Sequence, residues 1–478
     1  MQHKLQYLLL ALIVIFGFLV RMYKIDNPVA DWHSWRQADT ASVTRNFVDL
    51  GVDLLHPRFD DFSDTSGRGL FNPDGYRFVE FPVFNLIHYT FYTLIPKTYN
   101  LSLEYWGRMT SVISALVSAV LIFLLVRRHS RPFTGLLAAF FYLFLPFNIY
   151  FTRVILPDPL MVTLYLAALN FFDVWTINHK SYILILTALF GTLAVLVKPV
   201  ALFFLLPITW YFWHRYKIKM LNLRHFWVLH LAFVLPFALW RLWSFRYPQG
   251  VPASLWLLNG DHIRFRPAFF RWLFGERLGD MILGHWGVFP LSLGLFAAGS
   301  FLPWVIGALA YLVVFATVNV RHDYYQIPII PIVSILLALG VIHFATSWTK
   351  KAFILFVIFM MLGMTWYDIR GNYQVNNWSI IRAGQAVDRL LPKDALVVAP
   401  YNGDTAFLYQ TKRRGFTHLP MPIKDLKDRY GIGYYVSVTY DPDTRAIMDQ
   451  YTIMEQNPEF VIIKLDERPD YWQRKRLE

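Results

Sequence analysis

The chain has 478 residues, of which 56% are hydrophobic, 18% aromatic and only 16% charged, and it contains no cysteine. Soluble proteins usually carry about 25% charged residues, and here the apolar residues come in blocks of about 16–22, long enough to cross a bilayer. The composition therefore excludes a soluble enzyme, a disordered chain, a fibrous protein and any chemistry that needs cysteine. It also excludes a transmembrane β-barrel, whose strands alternate over about 10 residues.

The formal net charge is +13. Many of the basic residues lie at the ends of apolar segments, which is typical of the charge bias that orients membrane helices. A second interpretation is attraction to anionic lipid or to a substrate that carries phosphate. The sequence contains no nucleic-acid-binding motif, so nucleic acid is not predicted as a partner.

Eleven membrane spans are predicted, and the first is interpreted as an uncleaved span because no small-residue cleavage site follows it. With the N-terminus in the cytoplasm, the short segments on that side contain Lys and Arg but no Asp or Glu, as expected for this orientation. The sequence thus predicts a multi-pass protein of the inner (plasma) membrane with an extracytoplasmic C-terminus. The predicted spans are residues 5–20, 107–126, 133–151, 159–176, 182–197, 199–213, 226–243, 282–298, 301–318, 327–346 and 352–367.

Two domains are predicted. Residues 1–367 form an all-α transmembrane domain with a long outer loop at 21–106, and residues 368–478 form a small α/β domain on the outer face. In this tail, short β-branched and aromatic runs predict strands, and helical spacing of apolar residues predicts helices. The predicted strands are 395–399, 434–438 and 460–464, and the predicted helices are 381–391 and 443–454.

The first outer loop is dense in polar groups between residues 31 and 45. Ser34 is predicted to cap a helix over 35–50, with Gln37 as its capping-box partner. The apolar spacing predicts that this helix is amphipathic and lies on the outer membrane surface. Asp31 would then precede the helix, and Asp39 would lie in its first turns.

A carboxylate at this surface can accept a proton from an acceptor hydroxyl or amine, so Asp31 and Asp39 are the candidate catalytic bases. Asp31 is placed first because it is free of the helix and nearer the first span. His33 and Arg36 could hold a departing phosphate. The alternative is an interfacial anchor, in which tryptophans sit at headgroup depth and the charges are merely solvated.

Two further carboxylates are candidates. Glu80 could orient Arg36, His33 or the acceptor, or it could be a solvated loop residue. Asp158 lies at the predicted outer mouth of a span, where a carboxylate must be hydrated or paired. It could contact substrate, or it could simply pair with Arg153, which is close in sequence.

Lys198 is predicted at the outer end of a span, where it could bind a donor phosphate or extend to the interface. His322 and Asp323 lie at another outer mouth, beside Tyr325. His322 could contact phosphate or sugar, whereas the tyrosine could equally belong to the aromatic belt of the membrane.

Four segments in order carry a resemblance: the run from His33 through Gln37 to Ala41, then 79–82 with Glu80, then 156–161 with Asp158, and 321–328 with Asp323 and Tyr325. They resemble the bacterial glycosyltransferase family 39, which groups with protein O-mannosyltransferases and lipid A aminoarabinose transferases under the GT-C fold. Many members carry an Asp-Glu pair where this sequence has Arg36 and Gln37, so the identity of the base differs from the family pattern.

The resemblance implies an integral membrane glycosyltransferase that takes a sugar from a polyprenyl-phosphate donor on the outer face. The acceptor could be lipid, glycan or protein, and the chain would contact membrane lipids. One base and one displacement imply inversion. A divalent metal is compatible with the acidic outer loop, but the sequence demands no metal and no cofactor. The alternatives are a flippase or transporter of a lipid-linked sugar, and a glycan polymerase or ligase.

Overall fold

Helices make up most of the chain. The computed structural model describes residues 2–95 and 101–469. Residues 96–100 of the predicted outer loop and 470–478 of the predicted tail lie outside the described residues.

The helices of the membrane part, with the surface segments between them, precede the tail in chain order. They are α1 (Gln2–Arg21), α2 (Ser34–Leu50), α3 (Val83–Leu94), α4 (Leu103–His129), α5 (Pro132–Phe144), α6 (Pro146–Phe151), α7 (Asp158–Asn178), α8 (Ser181–Val197), α9 (Ala201–Phe204), α10 (Leu206–Tyr216), α11 (Arg224–Ser244), α12 (Trp256–Asn259), α13 (Pro267–Phe270), α14 (Val288–Phe296), α15 (Leu302–Val314), α16 (Ala316–Arg321), α17 (Ile330–Phe344) and α18 (Trp348–Ile369). Short 3-10 segments (Lys217–Asn222, Pro248–Gly250, Gly299–Phe301, Asp323–Ile329 and Arg370–Tyr373) and a π-helix (Arg271–Ile282) join some of them.

Fewer helices than predicted are long enough to span a membrane alone. Among the described residues, six helices are long and apolar enough, or up to seven if one bent pair is a single span, and two further apolar helices are shorter. Proline explains part of the difference, because its ring cannot continue a helix that precedes it. The predicted span 133–151 is divided at Pro146, and 199–213 is divided just before Pro207. The count of eleven therefore stays a prediction.

Helices α14 and α17 pack through glycine at their closest approach. A Cβ atom added at Gly340 of α17 would lie 1.8 Å from the carbonyl oxygen of Pro290, and one at Gly294 of α14 would lie 1.9 Å from that of Leu336. Without side chains at these points the two backbones touch, which is how small residues drive helix association in lipid.

We expect Gly340→Ala to destabilise the protein by about 1–3 kcal/mol, because a methyl group cannot enter the helix contact without moving one backbone. Gly363→Ala in α18 is the matched control, since nothing lies within 4 Å of its added Cβ atom. The measurement is the thermal unfolding midpoint in detergent, which should fall for Gly340→Ala alone. Equal midpoints for the two variants would contradict the packing.

The tail contains a five-stranded sheet with order β2-β1-β3-β5-β4. β2, β1 and β3 are parallel, whereas β5 pairs antiparallel with β3 and β4. Its elements are α19 (Trp378–Leu390), β1 (Leu396–Val398), α20 (Thr405–Gln410), β2 (Arg414–Phe416), α21 (Ile423–Tyr430), β3 (Tyr434–Ser437), α22 (Pro442–Gln450), β4 (Tyr451–Gln456) and β5 (Val461–Glu467).

The three predicted strands correspond to β1, β3 and β5, and the fold class is confirmed. The predicted helix at 443–454 is wrong at its end, because α22 stops at Gln450 and residues 451–454 belong to β4. Along β4 the side chains alternate between more buried and exposed positions. Over so few residues this pattern cannot be separated from a helix by periodicity. The domain boundary at 368 stays a prediction.

The first outer loop joins the tail sheet at the edge formed by β2. The amide of Phe62 donates to the carbonyl of Gly415 at 2.7 Å, and the amide of Gly415 donates to the carbonyl of Asp60 at 2.9 Å. The hydroxyl of Thr417 donates to the carboxylate of Asp61 at 3.0 Å. Loop and tail are therefore one hydrogen-bonded unit, and helix α2 lies directly beneath it.

Candidate active site

Helix α2 begins differently from the prediction. Ser34 is its first residue rather than its cap, and His33 precedes it in the left-handed conformation with φ 55° and no side-chain cap. The predicted capping box is wrong, because the side-chain amide of Gln37 donates from Nε2 to Asp31 Oδ1 at 2.6 Å instead. Gln37 thus ties the helix to the preceding turn.

The predicted amphipathic character of α2 is also wrong, whereas its position on the membrane surface stays a prediction. Most of its residues are buried, including polar ones such as Arg36, Asp39 and Thr44. Helix α3 covers one side and α20 of the tail covers another. A buried polar helix needs partners for its side chains, and the neighbouring segments supply them.

Asp31 is fully buried in an ion pair. Arg153 donates to its Oδ2 at 2.8 Å, and neither side chain has any exposed surface. The predicted alternative, in which Arg153 pairs with Asp158, is therefore wrong. Asp31 holds the turn before α2 in place, and its carboxylate is enclosed by Arg153 and Gln37.

A cavity of about 460 Å³ lies at the ends of several helices, beside α2. Its basic side chains come from four different segments, and Glu80 is the acidic side chain among its lining residues. The charged, histidine and tyrosine residues that line it are Arg36, Arg77, Glu80, Lys198, Arg241, His322, Tyr324 and Tyr325. Five of these were predicted as site residues: Arg36, Glu80, Lys198, His322 and Tyr325.

Sequence reasoning missed Arg77 and Arg241 as site residues. Arg77 stands three positions before Glu80, which was already predicted as a site residue. This closeness in sequence could have indicated that Arg77 belongs to the site. Arg241 lies in α11, far away in sequence, and its guanidinium donates to the carbonyl of Phe78 at 2.6 Å. Only the fold shows that α11 packs beside this part of the outer loop.

Ion pairs hold two of the arginines that line the cavity. Arg36 donates to Glu80, and Arg77 donates to Asp39. Burial alone would lower the pKa of Arg36, but the nearby Glu80, Tyr324 and Asp39 together raise it. Arg36 is therefore a permanent positive charge at the cavity wall.

Lys198 and Asp158 form a second buried pair. The Nζ atom of Lys198 lies 2.8 Å from both carboxylate oxygens of Asp158. The same ammonium lies 4.9 Å from the centre of the Tyr325 ring, a cation–π contact. Asp158 does not line the large cavity, and its role here is to hold Lys198.

Asp39 lies behind the cavity wall rather than on it. A second cavity of about 20 Å³, large enough for one water molecule, lies against Asp39 and shares Arg36, Arg77 and Glu80 with the large one. Asp31 borders neither cavity. Of the two predicted bases, Asp39 is the one that the fold brings to the cluster.

His33 and Asp323 form a pair at the edge of the cavity. His33 Nε2 contacts Asp323, and the indole of Trp32 donates to the same carboxylate at 2.9 Å. Beside them, burial and the neighbouring His33 lower the pKa of His322 to about 4. His322 is therefore a neutral imidazole near pH 7, able to form hydrogen bonds but not to supply charge.

Among the described residues, no group of three or more His, Asp or Glu side chains is placed to hold a metal ion. Three carboxylates near the cavity are instead each paired with a basic side chain: Asp39 with Arg77, Glu80 with Arg36, and Asp158 with Lys198.

One carboxylate of the tail also lies near this cluster. Asp404 caps α20 by accepting from the amide of Ala406 at 2.7 Å. Burial, with a contribution from the charge of Asp39, raises the pKa of Asp404 to about 6. Its charged form is therefore less stable in the folded protein than in the unfolded chain.

Because the folded-state pKa is raised, this group lowers stability as pH rises from about 4 to about 6 and contributes a constant penalty above that range. We expect Asp404→Asn, which keeps the helix cap, to remove that penalty. The gain in thermal unfolding midpoint over wild type should be larger at pH 7.5 than at pH 4.5. A difference between variant and wild type that is independent of pH would contradict the raised pKa.

Comparison with known proteins gives one sequence-family match and several solved structures with a similar fold. Residues 94–243 match the sequence family described as dolichyl-phosphate-mannose-protein mannosyltransferase. No curated protein sequence matches the chain.

Two solved structures are similar over nearly the whole chain. ArnT from Cupriavidus metallidurans, bound to undecaprenyl phosphate, has a TM-score of 0.65 at 14% identity, covering 95% of this chain and 98% of its own. The oligosaccharyltransferase of Archaeoglobus fulgidus, in complex with Zn and sulfate, has a TM-score of 0.59 at 12% identity, covering 90% and 67%.

The similarity to the mannosyltransferase family agrees with the resemblance seen in the sequence, and of the four segments that carry that resemblance, 156–161 lies within the matched residues. The chain has the fold of these two solved structures, and residues 94–243 are similar in sequence to the mannosyltransferase family.

Proposed function

We propose that the protein transfers a sugar from a polyprenyl-phosphate donor to an acceptor on the extracytoplasmic face. The observation that carries the proposal is the cavity lined by Arg36, Arg77, Lys198 and Arg241. Four cations converge there on a site with apolar walls between helix ends. Such a site suits a ligand with one phosphate, a polar sugar and a long apolar chain.

The relatives support this class of donor. The solved ArnT structure contains undecaprenyl phosphate, and the matching family is described by dolichyl-phosphate-mannose. Both ligands are polyprenyl phosphates.

The cations would stabilise the departing phosphate. In the transition state the bond between the anomeric carbon and the phosphate oxygen lengthens, and negative charge grows on that oxygen. Lys198 and Arg36 are held in place by Asp158 and Glu80 before any ligand arrives. Because a phosphate leaves as an anion, no acid has to protonate the leaving group, unlike in glycosidases.

Asp39 is the base in this proposal. The acceptor oxygen or nitrogen attacks the anomeric carbon, and the bond from that carbon to the phosphate oxygen breaks, so that polyprenyl phosphate leaves. The acceptor proton passes to Asp39. A single displacement inverts the anomeric centre. Asp31, enclosed with Arg153, has the separate role of holding the start of α2.

The proposal places the protein in the inner membrane with a cytoplasmic N-terminus. Residues 1–367 would contain the donor site, and residues 368–478 would form the extracytoplasmic domain. The basic segments near Arg128 and Arg215 lie at the ends of α4 and α10, and the bias of Lys and Arg toward the cytoplasm supports this orientation.

Sugar transfer should depend on the carboxylate of Asp39, whereas the carboxylate of Asp31 should matter for stability. We expect Asp39→Asn to lower the transfer rate by about 10²-fold or more, because general-base catalysis contributes roughly 10²–10⁴-fold. The assay uses membranes and undecaprenyl-phosphate donors that carry radiolabelled mannose or aminoarabinose. Asp31→Asn should lower protein yield and thermal stability, because it leaves Arg153 buried without its partner.

Wild-type transfer by Asp39→Asn would remove it from the role of base. Movement of labelled donor across vesicle membranes, with no transfer to any acceptor by the wild-type protein, would instead favour the flippase alternative.

Lys198 should govern donor binding. We expect Lys198→Gln to weaken binding of undecaprenyl phosphate about tenfold to a hundredfold, because hydrogen bonds between ions are worth about 1.5–3 kcal/mol. The measurement is quenching of tryptophan fluorescence by titrated undecaprenyl phosphate.

Two further variants make this result specific. The double variant Lys198→Gln with Asp158→Asn avoids an unpaired buried carboxylate and should show the same weakening. Lys180→Gln removes an exposed lysine before α8 and should bind as wild type does. Unchanged affinity in both the single and the double Lys198 variants would exclude Lys198 as a phosphate ligand.

A further inference from the structure

A side chain of the tail reaches the carboxylate of Asp39. The hydroxyl of Thr405 lies 2.7 Å from Asp39 Oδ1 and 3.0 Å from the carbonyl oxygen of Trp35. The other carboxylate oxygen of Asp39 accepts from Arg77. Asp39 is therefore held from two sides, by an outer-loop arginine and by a threonine 366 residues away along the chain, on a separate element.

The position of Thr405 is fixed by the docking of α20 on α2. Arg45 of α2 donates to the carbonyl of Tyr409 at 3.0 Å, and its guanidinium lies 4.1 Å from the centre of the Tyr409 ring. The phenol of Tyr409 donates to Glu104 at 2.6 Å, and the side-chain amide of Gln410 donates to the carbonyl of Val29 at 3.0 Å. These contacts bind both α2 and the start of α4 to the tail.

We propose that Thr405 is a positioning residue for Asp39, so that the tail completes the active site. This inference rests on the proposed role of Asp39 as base. It assigns to the tail a function in the reaction itself, in addition to any role in stability or in choosing the acceptor.

The hydroxyl of Thr405 suits this role because it has one hydrogen and two acceptors in reach. While Asp39 is charged, Thr405 donates its hydrogen to Asp39 Oδ1 and favours the ionised form. Once Asp39 has taken a proton from the acceptor, the carboxylic acid can donate to the Thr405 oxygen. The Thr405 hydrogen then turns to the carbonyl of Trp35. The same two groups thus remain hydrogen-bonded before and after proton transfer.

The test compares Thr405→Val, which keeps the shape and removes the hydroxyl, with Thr405→Ser, which keeps the hydroxyl. We expect Thr405→Val to lower kcat about tenfold to a hundredfold, because a poorly placed base loses rate on this scale. KM for the undecaprenyl-phosphate donor should stay within about twofold, since Thr405 does not line the donor cavity. Thr405→Ser should restore most of the rate.

The pH profile separates positioning from mere structural support. Without the Thr405 hydrogen bond the charged form of Asp39 is less favoured, while the other charged groups beside it, Arg77, Arg36 and Asp404, stay in place. The acidic limb of the kcat profile should therefore move to higher pH in Thr405→Val and return in Thr405→Ser. A loss of rate with no shift of the limb, or with no recovery in Thr405→Ser, would overturn the proposal.

Thr417→Val is the matched control. It removes the same kind of bond, from a tail threonine to a carboxylate of the first outer loop, but at Asp61 rather than at Asp39. It should leave the acidic limb unchanged even if stability falls. A limb shifted equally by both variants would show a general effect of loosening the tail and would overturn a specific role for Thr405.

Asp39→Asn separates the proposed role of Asp39 as base from the positioning role of Thr405. If Asp39→Asn stays active, the proposed base is wrong, and the inference about Thr405 fails with it. If Asp39→Asn is inactive while Thr405→Val keeps the wild-type kcat and pH profile, the base stands and only the positioning role of Thr405 is wrong. Titration with undecaprenyl phosphate checks that each variant is folded and binds donor.

Discussion

The buried ion pair between Asp31 and Arg153 is the interaction on which the rest of the site depends. It joins the turn before α2 to the segment between α6 and α7, with both side chains fully enclosed. Removing one partner of such a pair costs about 3–5 kcal/mol, because a charge is left buried alone. The pair, with Gln37 bonded to the same carboxylate, sets where α2 begins and hence where Arg36 and Asp39 lie.

Charge near the cavity is balanced by pairs that link separate segments. Three of the four cations have an acidic partner, and the guanidinium of Arg241 is bound to a backbone carbonyl instead. Each pair keeps a cation in place without a ligand, which reduces the reorganisation needed when phosphate arrives. A bound phosphate would share these cations with their carboxylates, so donor binding and the positions of the acidic side chains are coupled.

Several features followed directly from sequence pattern. Apolar runs located the long helices α1, α4, α7, α11, α17 and α18, and β-branched runs located three of the five strands. Asp39 was singled out as a possible proton acceptor, Glu80 as a possible orienting residue and Lys198 as a cation that could bind a donor phosphate. The predicted capping box at Ser34 is wrong, because the side chain of Gln37 donates to Asp31 instead. The pairing of Asp158 with Arg153 failed because nearness in sequence does not decide which buried charges meet.

Sequence alone determined that this chain is a helical membrane protein whose outer loop carries both acidic and basic residues. The length of an apolar run and the spacing of its apolar residues are properties of contiguous residues, so they can be read without the fold. Tertiary structure alone decided which charges face the cavity. Lys198 with Asp158, Arg77 with Asp39 and Thr405 with Asp39 are contacts between distant segments. Their partners are set by the packing of α2 between membrane helices and tail, because a buried polar group must bond with whatever the fold brings within reach.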